Sequence, residues 1–376
     1  MEDQRIWLSL AHMGGDEQKF IKEAFDTNWV VPLGPNVDGF EKDLESYLGE
    51  ERFVVALSAG TAALHLGLIL LDVKVGDEVI CQSFTFSASA NPIAYLGAKP
   101  VFVDSEPDTW NISPQLLEEA ILDRKKRTGK FPKAIILVHL YGMPAKMNEV
   151  TAISQKYGIP ILEDAAEALG STYNGQKCGT FGEFGVLSFN GNKIITTSGG
   201  GALICRTNEE ATRAKFFATQ ARDKAPHYQH SYIGYNYRMS NICAGIGRGQ
   251  MFVLNEHIMR RKEIHAIYCN LFKDVPGITV VKSPTKDIDS NYWLTCILIN
   301  QNTLGKTRED LRLKLDSHNI ESRPLWKPMH LQPVFKDAVS YKNGVSESLF
   351  NDGLCLPSGS SLSNDDIERV AKYILS

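Results

Sequence analysis

A lysine closes the stretch Ser188-Phe189-Asn190-Gly191-Asn192-Lys193, which runs on through Ile194-Ile195-Thr196-Thr197 to Ser198-Gly199-Gly200-Gly201. Residues 181–189 predict a partly apolar strand, and the Gly-Asn pair predicts a turn that presents the lysine amine from a loop. Such an amine adds to a carbonyl once desolvation or a neighbouring cation lowers its pKa. A solvated loop lysine is the plain alternative for this stretch taken alone. Upstream, Glu163-Asp164-Ala165-Ala166-Glu167 closes an apolar run at 159–162. A strand-end aspartate suits the protonated ring nitrogen of a cofactor such as pyridoxal phosphate. Asp164 with Glu167 three residues on is equally a capping-box spacing that only starts a helix.

Two further stretches could serve the same ligand. Ser58-Ala59-Gly60-Thr61 follows the apolar Phe53–Leu57 and opens a helical pattern, so its small residues and helix N-terminus could hold a phosphate. A strand-to-helix connection with a threonine cap explains it as well. Gln82-Ser83-Phe84-Thr85-Phe86 lies between a strand and a helix, and there Phe86 could stack on a flat ring while Phe84 reads as core.

The elements that must position these groups follow a strand and helix alternation. Apolar runs at 53–57, 78–81, 100–103, 134–140 and 159–162 are separated by helical patterns at 62–71, 88–96, 113–121 and 148–157. Runs apolar on both faces predict an α/β fold with a mainly parallel central sheet covered on both sides, where ligands gather at the strands' carboxyl ends. Helices are predicted at 16–28 and 37–48, on either side of the turn Pro32-Leu33-Gly34-Pro35. After a strand at 201–205 and a helix at 209–220, residues 227–239 show no period, and a long helix is expected over 241–272. Beyond Pro276, short strands (279–281, 292–299) and amphipathic helices (308–315, 365–374) predict a smaller α+β domain. The expected division is 1–255 for the large cofactor-binding domain and 256–376 for the small one.

Composition narrows the class. The chain has 376 residues, 43% hydrophobic and 22% charged, with 40 basic against 44 acidic residues and a net charge of -4. That is a globular protein with no general basic field for nucleic acid. Seven scattered cysteines form no CxxC or Cys/His cluster, and no apolar run is long enough for a bilayer. With an opening Met1-Glu2-Asp3-Gln4-Arg5 unlike a signal peptide, a cytoplasmic location and no membrane partner are expected. No metal is expected, and His139 reads as a packed core histidine. The charge run 123–126 reads as a solvated helix end.

Taken together, these motifs resemble the nucleotide-sugar aminotransferases of the DegT family, which are fold-type I pyridoxal-phosphate enzymes, over nearly the whole chain. The resemblance implies that Ser188 binds phosphate and Lys193 forms the Schiff base. It makes Asp164 the pyridine partner, Gly60 and Thr61 phosphate ligands, and Phe86 the stacking residue. Glu167 stands where many members carry Gln or His, facing the ring hydroxyl. Gly234-Tyr235-Asn236-Tyr237-Arg238-Met239 resembles the loop that reaches the neighbouring subunit's cofactor, with Asn236 on the phosphate, which implies a homodimer with shared sites. A related branch that replaces the lysine by His is a dehydratase, and Lys193 speaks against it. His12-Met13-Gly14-Gly15, the run from Arg323 to His330 and Leu356-Pro357-Ser358-Gly359-Ser360 resemble members that aminate C4 of UDP-linked 4-keto-6-deoxy-N-acetylhexosamines. The resemblance then implies a nucleotide-sugar substrate and glutamate as donor, with a UDP-4-amino-4,6-dideoxy sugar as product for bacterial glycan biosynthesis. Substrate contacts are expected from Met13, Arg238, Trp326, Lys327 and His330, with Arg238 and Lys327 offsetting diphosphate charge. A 3-keto sugar or cyclitol, or a cofactor-binding regulator without turnover, are the alternatives.

Overall fold

The computed structural model describes residues 4–49 and 51–376. Met1, Glu2 and Asp3, on which the reading of the opening partly rests, lie outside them. Two helices, α1 (Glu17–Asp26) and α2 (Pro35–Leu48), lead into the alternation β1 (Phe53–Leu57), α3 (Gly60–Leu70), β2 (Glu78–Gln82), α4 (Ser87–Tyr95), β3 (Lys99–Val103), α5 (Pro114–Thr128), β4 (Ala134–Val138), α6 (Met147–Tyr157) and β5 (Ile161–Asp164). β6 (Phe184–Ser188), β7 (Gly201–Cys205), α7 (Asn208–Ala218) and the long α8 (Asn241–Phe272) follow.

Every residue of β4, Ala-Ile-Ile-Leu-Val, is buried, as a strand covered on both faces requires. The main sheet runs β1-β7-β6-β5-β4-β2-β3, with Val339–Tyr341 added in parallel beyond β3. Along β1 the faces alternate: Val54 and Ala56 join the core of α2 and α8, while Val55 and Leu57 join that of α3 and α7. β7 is antiparallel to both neighbours. The cause is local: residues 189–200 form a loop without a crossover helix, so the chain doubles back from Ser188, and Gly201 pairs opposite it. The lysine loop is therefore tied down at both ends by adjacent strands.

Helix ends follow their capping chemistry. Ser113 accepts the Leu116 N–H to start α5, and Gly129 stops it in the left-handed region. The charge run 123–126 lies in the last turns of that helix, with Lys125 and Lys126 exposed as expected. Arg124 instead donates to both carboxylate oxygens of Glu78 at 2.9 and 2.7 Å with little exposure on either side, because the helix packs back on the foot of β2.

The smaller sheet contains Ile278–Val280, Thr295–Ile299, Gly353–Leu356 and Arg323–Pro324, all antiparallel. Its core includes residues of α8 and of the helices Arg308–Ser317 and Asn364–Leu375. The chain crosses the expected division at 255 in several places. α8, 32 residues and roughly 48 Å long, runs straight through it. Ile6 pairs with Ile320 and packs in the small core, and Val339–Tyr341 belongs to the large sheet. Among the described residues no helix is long and apolar enough to cross a membrane, and no group of three or more acidic, His or Cys side chains could hold a metal.

Candidate active site

The end of β1 and the start of α3 leave a helix N-terminus open to the cavity. Ala59 occupies the N-cap with extended backbone (φ -165°, ψ 156°), and no side chain caps the helix. The threonine-cap reading is therefore corrected: Thr61 lies within the first turn, where the N–H groups have no partner in the helix. Two glycines are needed for the close approach. A Cβ on Gly201 would lie 2.3 Å from the Gly60 nitrogen, and one on Gly60 would lie 3.1 Å from the Ser188 Cβ. Ser188 and the start of α3 thus face each other across hydrogen-only backbone.

At the end of β5, Asp164 is 5% exposed, and its Oδ2 accepts the Ser89 hydroxyl at 2.7 Å. Ser89 in turn pairs with the Thr85 hydroxyl at 2.8 Å. No helix starts at Asp164; residues 165–170 are turns and irregular backbone, so the capping-box reading also falls.

Lys193 rides the predicted turn, its N–H donating to Asn190 at 3.0 Å. Its Nζ lies 3.3 Å from Glu167 Oε1 and 4.1 Å from the centre of the Trp293 ring. Glu167 is buried, and its Oε2 accepts the Tyr141 N–H at 2.7 Å. Burial pushes its carboxyl up to about 7 even though Lys193 and that N–H pull it down. Tyr141 itself sits at φ 54°, a conformation uncommon for a bulky residue. That conformation, with Gly142 at φ 89° behind it, lets an amide at a strand end point at the carboxylate.

Gly60, Thr61, Phe86, Asp164, Glu167, Ser188, Lys193 and Trp326 all line one cavity of about 380 Å³. The Phe86 ring is 57% exposed, unusual for an aromatic beside a cavity, and lies 5.5 Å from the Trp326 ring. An uncapped helix start beside a hydroxyl, a buried carboxylate, an amine and an uncovered aromatic face fit pyridoxal phosphate, a flat ring bearing phosphate, ring nitrogen and aldehyde.

The remaining expected residues are placed elsewhere. Asn236 and Arg238 line an adjoining cleft that shares Ser58 and Gly199 with the cavity. Arg238, expected to offset diphosphate charge, has internal partners here. Its guanidinium pairs with buried Glu41 and donates to the Ala56 carbonyl at 2.9 Å, pinning the 234–239 segment to β1. His330 is off the cavity wall: Nδ1 meets the Ser83 hydroxyl at 2.7 Å and Nε2 meets Glu347 at 3.0 Å, which occupies both ring nitrogens. Lys327 is exposed in a groove shared with Phe86 and Trp326, and Met13 is exposed on the N-terminal segment. His139 accepts the Ala145 N–H on Nδ1 at 3.1 Å, so Nε2 carries the proton donated to Glu163 at 2.9 Å. It is a packed, satisfied histidine.

Sequence reasoning missed Tyr141, Ser89 and Trp293. Tyr141-Gly142 directly after an apolar strand was a signal of a special backbone. Trp293 was hidden by reading 292–299 as strand, whereas the strand begins at Thr295 and Tyr292 has φ 47°.

The chain matches the model of the DegT/DnrJ/EryC1/StrS aminotransferase family over residues 11–375. EpsN of Bacillus subtilis (strain 168), provisionally named as a pyridoxal phosphate-dependent aminotransferase, is 50% identical over 376 residues, covering 99% of this chain and 95% of that protein. GDP-perosamine synthase of Escherichia coli O157:H7 is 36% identical over 360 residues, 96% of this chain and 95% of its own. The crystal structure of a DegT DnrJ EryC1 StrS aminotransferase from Brucella abortus superposes with a TM-score of 0.87 at 32% identity, covering 96% and 94% of the two chains.

Proposed function

The chain belongs to the DegT/DnrJ/EryC1/StrS family of pyridoxal-phosphate-dependent sugar aminotransferases, and from that premise we propose a specific reaction for it. An amino group passes from L-glutamate to the C4 ketone of a UDP-linked 4-keto-6-deoxy-N-acetylhexosamine. The observation that carries amino transfer at this site is the Lys193 amine, 3.3 Å from buried Glu167, in the cavity that also holds Asp164 and the start of α3.

Bound pyridoxal phosphate supplies an aldehyde to carry the amino group and a ring that withdraws electrons from the carbon losing its proton. The first N–H groups of α3 and the Ser188 hydroxyl would hold the phosphate. Asp164, oriented by Ser89, would hold the positive charge on the ring nitrogen. Phe86 would cover the ring face. Lys193 Nζ removes the proton from the donor carbon and later delivers one to the sugar carbon as general base and acid. Glu167, with its carboxyl near neutrality, can take a proton from Nζ or return it. Trp326 at the cavity wall and the exposed Lys327 are offered to the sugar nucleotide.

The cleft with Asn236 also contains Val30 and Val31, exposed apolar residues next to exposed Trp29 and Leu33. This supports a homodimer in which the 234–239 segment faces a second copy's site. A GDP-linked ketosugar is the second reading, favoured by the 36% identical relative named for GDP-perosamine.

The test is spectroscopic. Purified protein with cofactor is expected to show a visible band that glutamate bleaches and the UDP-ketosugar restores. Restoration only by the ketone precursor of GDP-perosamine favours the second reading. Lys193→Ala is expected to abolish turnover, and undiminished turnover rejects the assignment of Lys193.

A further inference from the structure

Arg261, in the middle of α8, is 1% exposed and is the largest of the fully buried side chains. Burying a guanidinium is costly and is ordinarily offset by a carboxylate. Here the hydrogen-bond partners are carbonyls and a hydroxyl from four separate segments. Nη1 donates to the Trp293 carbonyl at 2.5 Å and the Ser358 carbonyl at 3.1 Å. Nη2 donates to Ser9 Oγ at 2.9 Å and reaches the Lys193 carbonyl at 3.5 Å.

Two of those segments then meet the lysine loop a second time. Ser9 Oγ donates onward to the Asn192 carbonyl at 2.8 Å, and the Trp293 indole N–H donates to the same carbonyl at 2.7 Å. The Trp293 ring lies beneath the Lys193 amine. The polypeptide at 192–193 is therefore fixed through Ser9 and Trp293, both of which are held by one guanidinium. Only a planar fork of several donors can span acceptors so arranged; a single ammonium cannot.

We propose that Arg261 is the positioning residue for Lys193: through the carbonyls of Lys193 and Trp293 and the hydroxyl of Ser9, it sets where the reactive amine stands over the Trp293 ring. This rests on Lys193 being the lysine that holds the cofactor. Arg261 touches neither cofactor nor substrate; it acts by holding the loop. The residues are distant in sequence, and only the crossing of α8 beneath the loop brings them together.

Ser9→Ala and Arg261→Lys test this in the holoenzyme. Ser9→Ala removes one relay at a half-exposed position and leaves the guanidinium in place, so folding is retained. Arg261→Lys keeps a buried cation but loses the fork. Cofactor affinity, read from the visible band during titration, is expected to fall about 3-fold in Ser9→Ala and about 10-fold in Arg261→Lys. The pH midpoint of that band is expected to drop in both, by roughly half a unit or more in Arg261→Lys, as the cofactor-linked nitrogen of Lys193 loses its fixed place over the indole face. Melting temperature is followed alongside, and borohydride reduction with peptide mapping reports which lysine carries the cofactor. Wild-type affinity and midpoint in both variants, with Lys193 labelled normally, overturn the inference. A wild-type label on another lysine overturns the assignment of Lys193 instead, which separates the two failures. Should Arg261→Lys not fold, an unchanged midpoint and affinity in Ser9→Ala overturn the proposal, and the shifts stated for Ser9→Ala support it.

Discussion

The hydroxyl of Ser89 donates to Oδ2 of Asp164 at 2.7 Å, joining the first turn of α4 to the end of β5. Ser89 is fully covered, so no water competes for the carboxylate from that side. A hydrogen bond to a charged acceptor in such a place contributes about 1.5–3 kcal/mol. Ser89→Ala is therefore expected to lower cofactor affinity and kcat/KM by about 10-fold. Steady-state kinetics with cofactor titration check this, and unchanged values would leave Ser89 as a packing residue.

Glu167 gives a pH signature to the cofactor-free protein. Its carboxyl sits near 7 in the fold against 4.5 ordinarily, raised by burial. The folded state therefore binds a proton between those values that the unfolded chain has released. The resulting stabilisation is complete below pH 4.5 and is lost as pH rises through about 7. Glu167→Gln cannot titrate, so its stability should vary less between pH 5 and pH 8. By urea unfolding, the wild-type decrease across that interval should exceed the variant's by about 1–3 kcal/mol. Equal decreases would show that Glu167 is ionised throughout.

Arg238 separates a structural role from a substrate role. Glu41 receives Arg238, Lys215 at 2.7 Å and the Ala56 N–H at 2.8 Å. Arg238→Met leaves a buried carboxylate with one partly exposed cation, and a destabilisation of about 2–4 kcal/mol is expected. The KM for the sugar nucleotide should stay within about 3-fold of wild type. Calorimetry and kinetics together decide: a large rise in KM with unchanged melting would return Arg238 to the substrate.

Features that depend on short-range pattern were legible in the sequence. β4 announced itself as five consecutive apolar residues, and Asn190-Gly191 announced the turn that carries Lys193, because periodicity and turn chemistry act over a few residues. The strand-to-helix junction at Gly60 and Thr61 was readable for the same reason. What stayed hidden depends on partners far apart in the chain. Nothing near Arg238 in sequence announces Glu41, and nothing near His330 announces Ser83, so both were offered to a substrate while the fold uses them internally. The antiparallel β7 was likewise invisible, since an apolar strand reads the same in either direction. Trp293 was missed because its backbone departs from the strand that its aromatic neighbours suggest.

The segment running from Ile6 to Ser9 has a consequence for how the molecule is made. Its backbone pairs with Asn319, Glu321 and Ser358, and the Leu8 N–H meets the Glu321 side chain across 313 positions. At about 5–20 residues per second, a ribosome needs roughly 15–60 s to deliver those partners after Leu8 has been added. Throughout that time the backbone partners of the early segment are missing, while the partners of Ser9, first Asn192 and then Arg261, are delivered ahead of them. The lysine loop is thus completed late, by a strap that was synthesised early, and contacts of such high sequence separation slow folding.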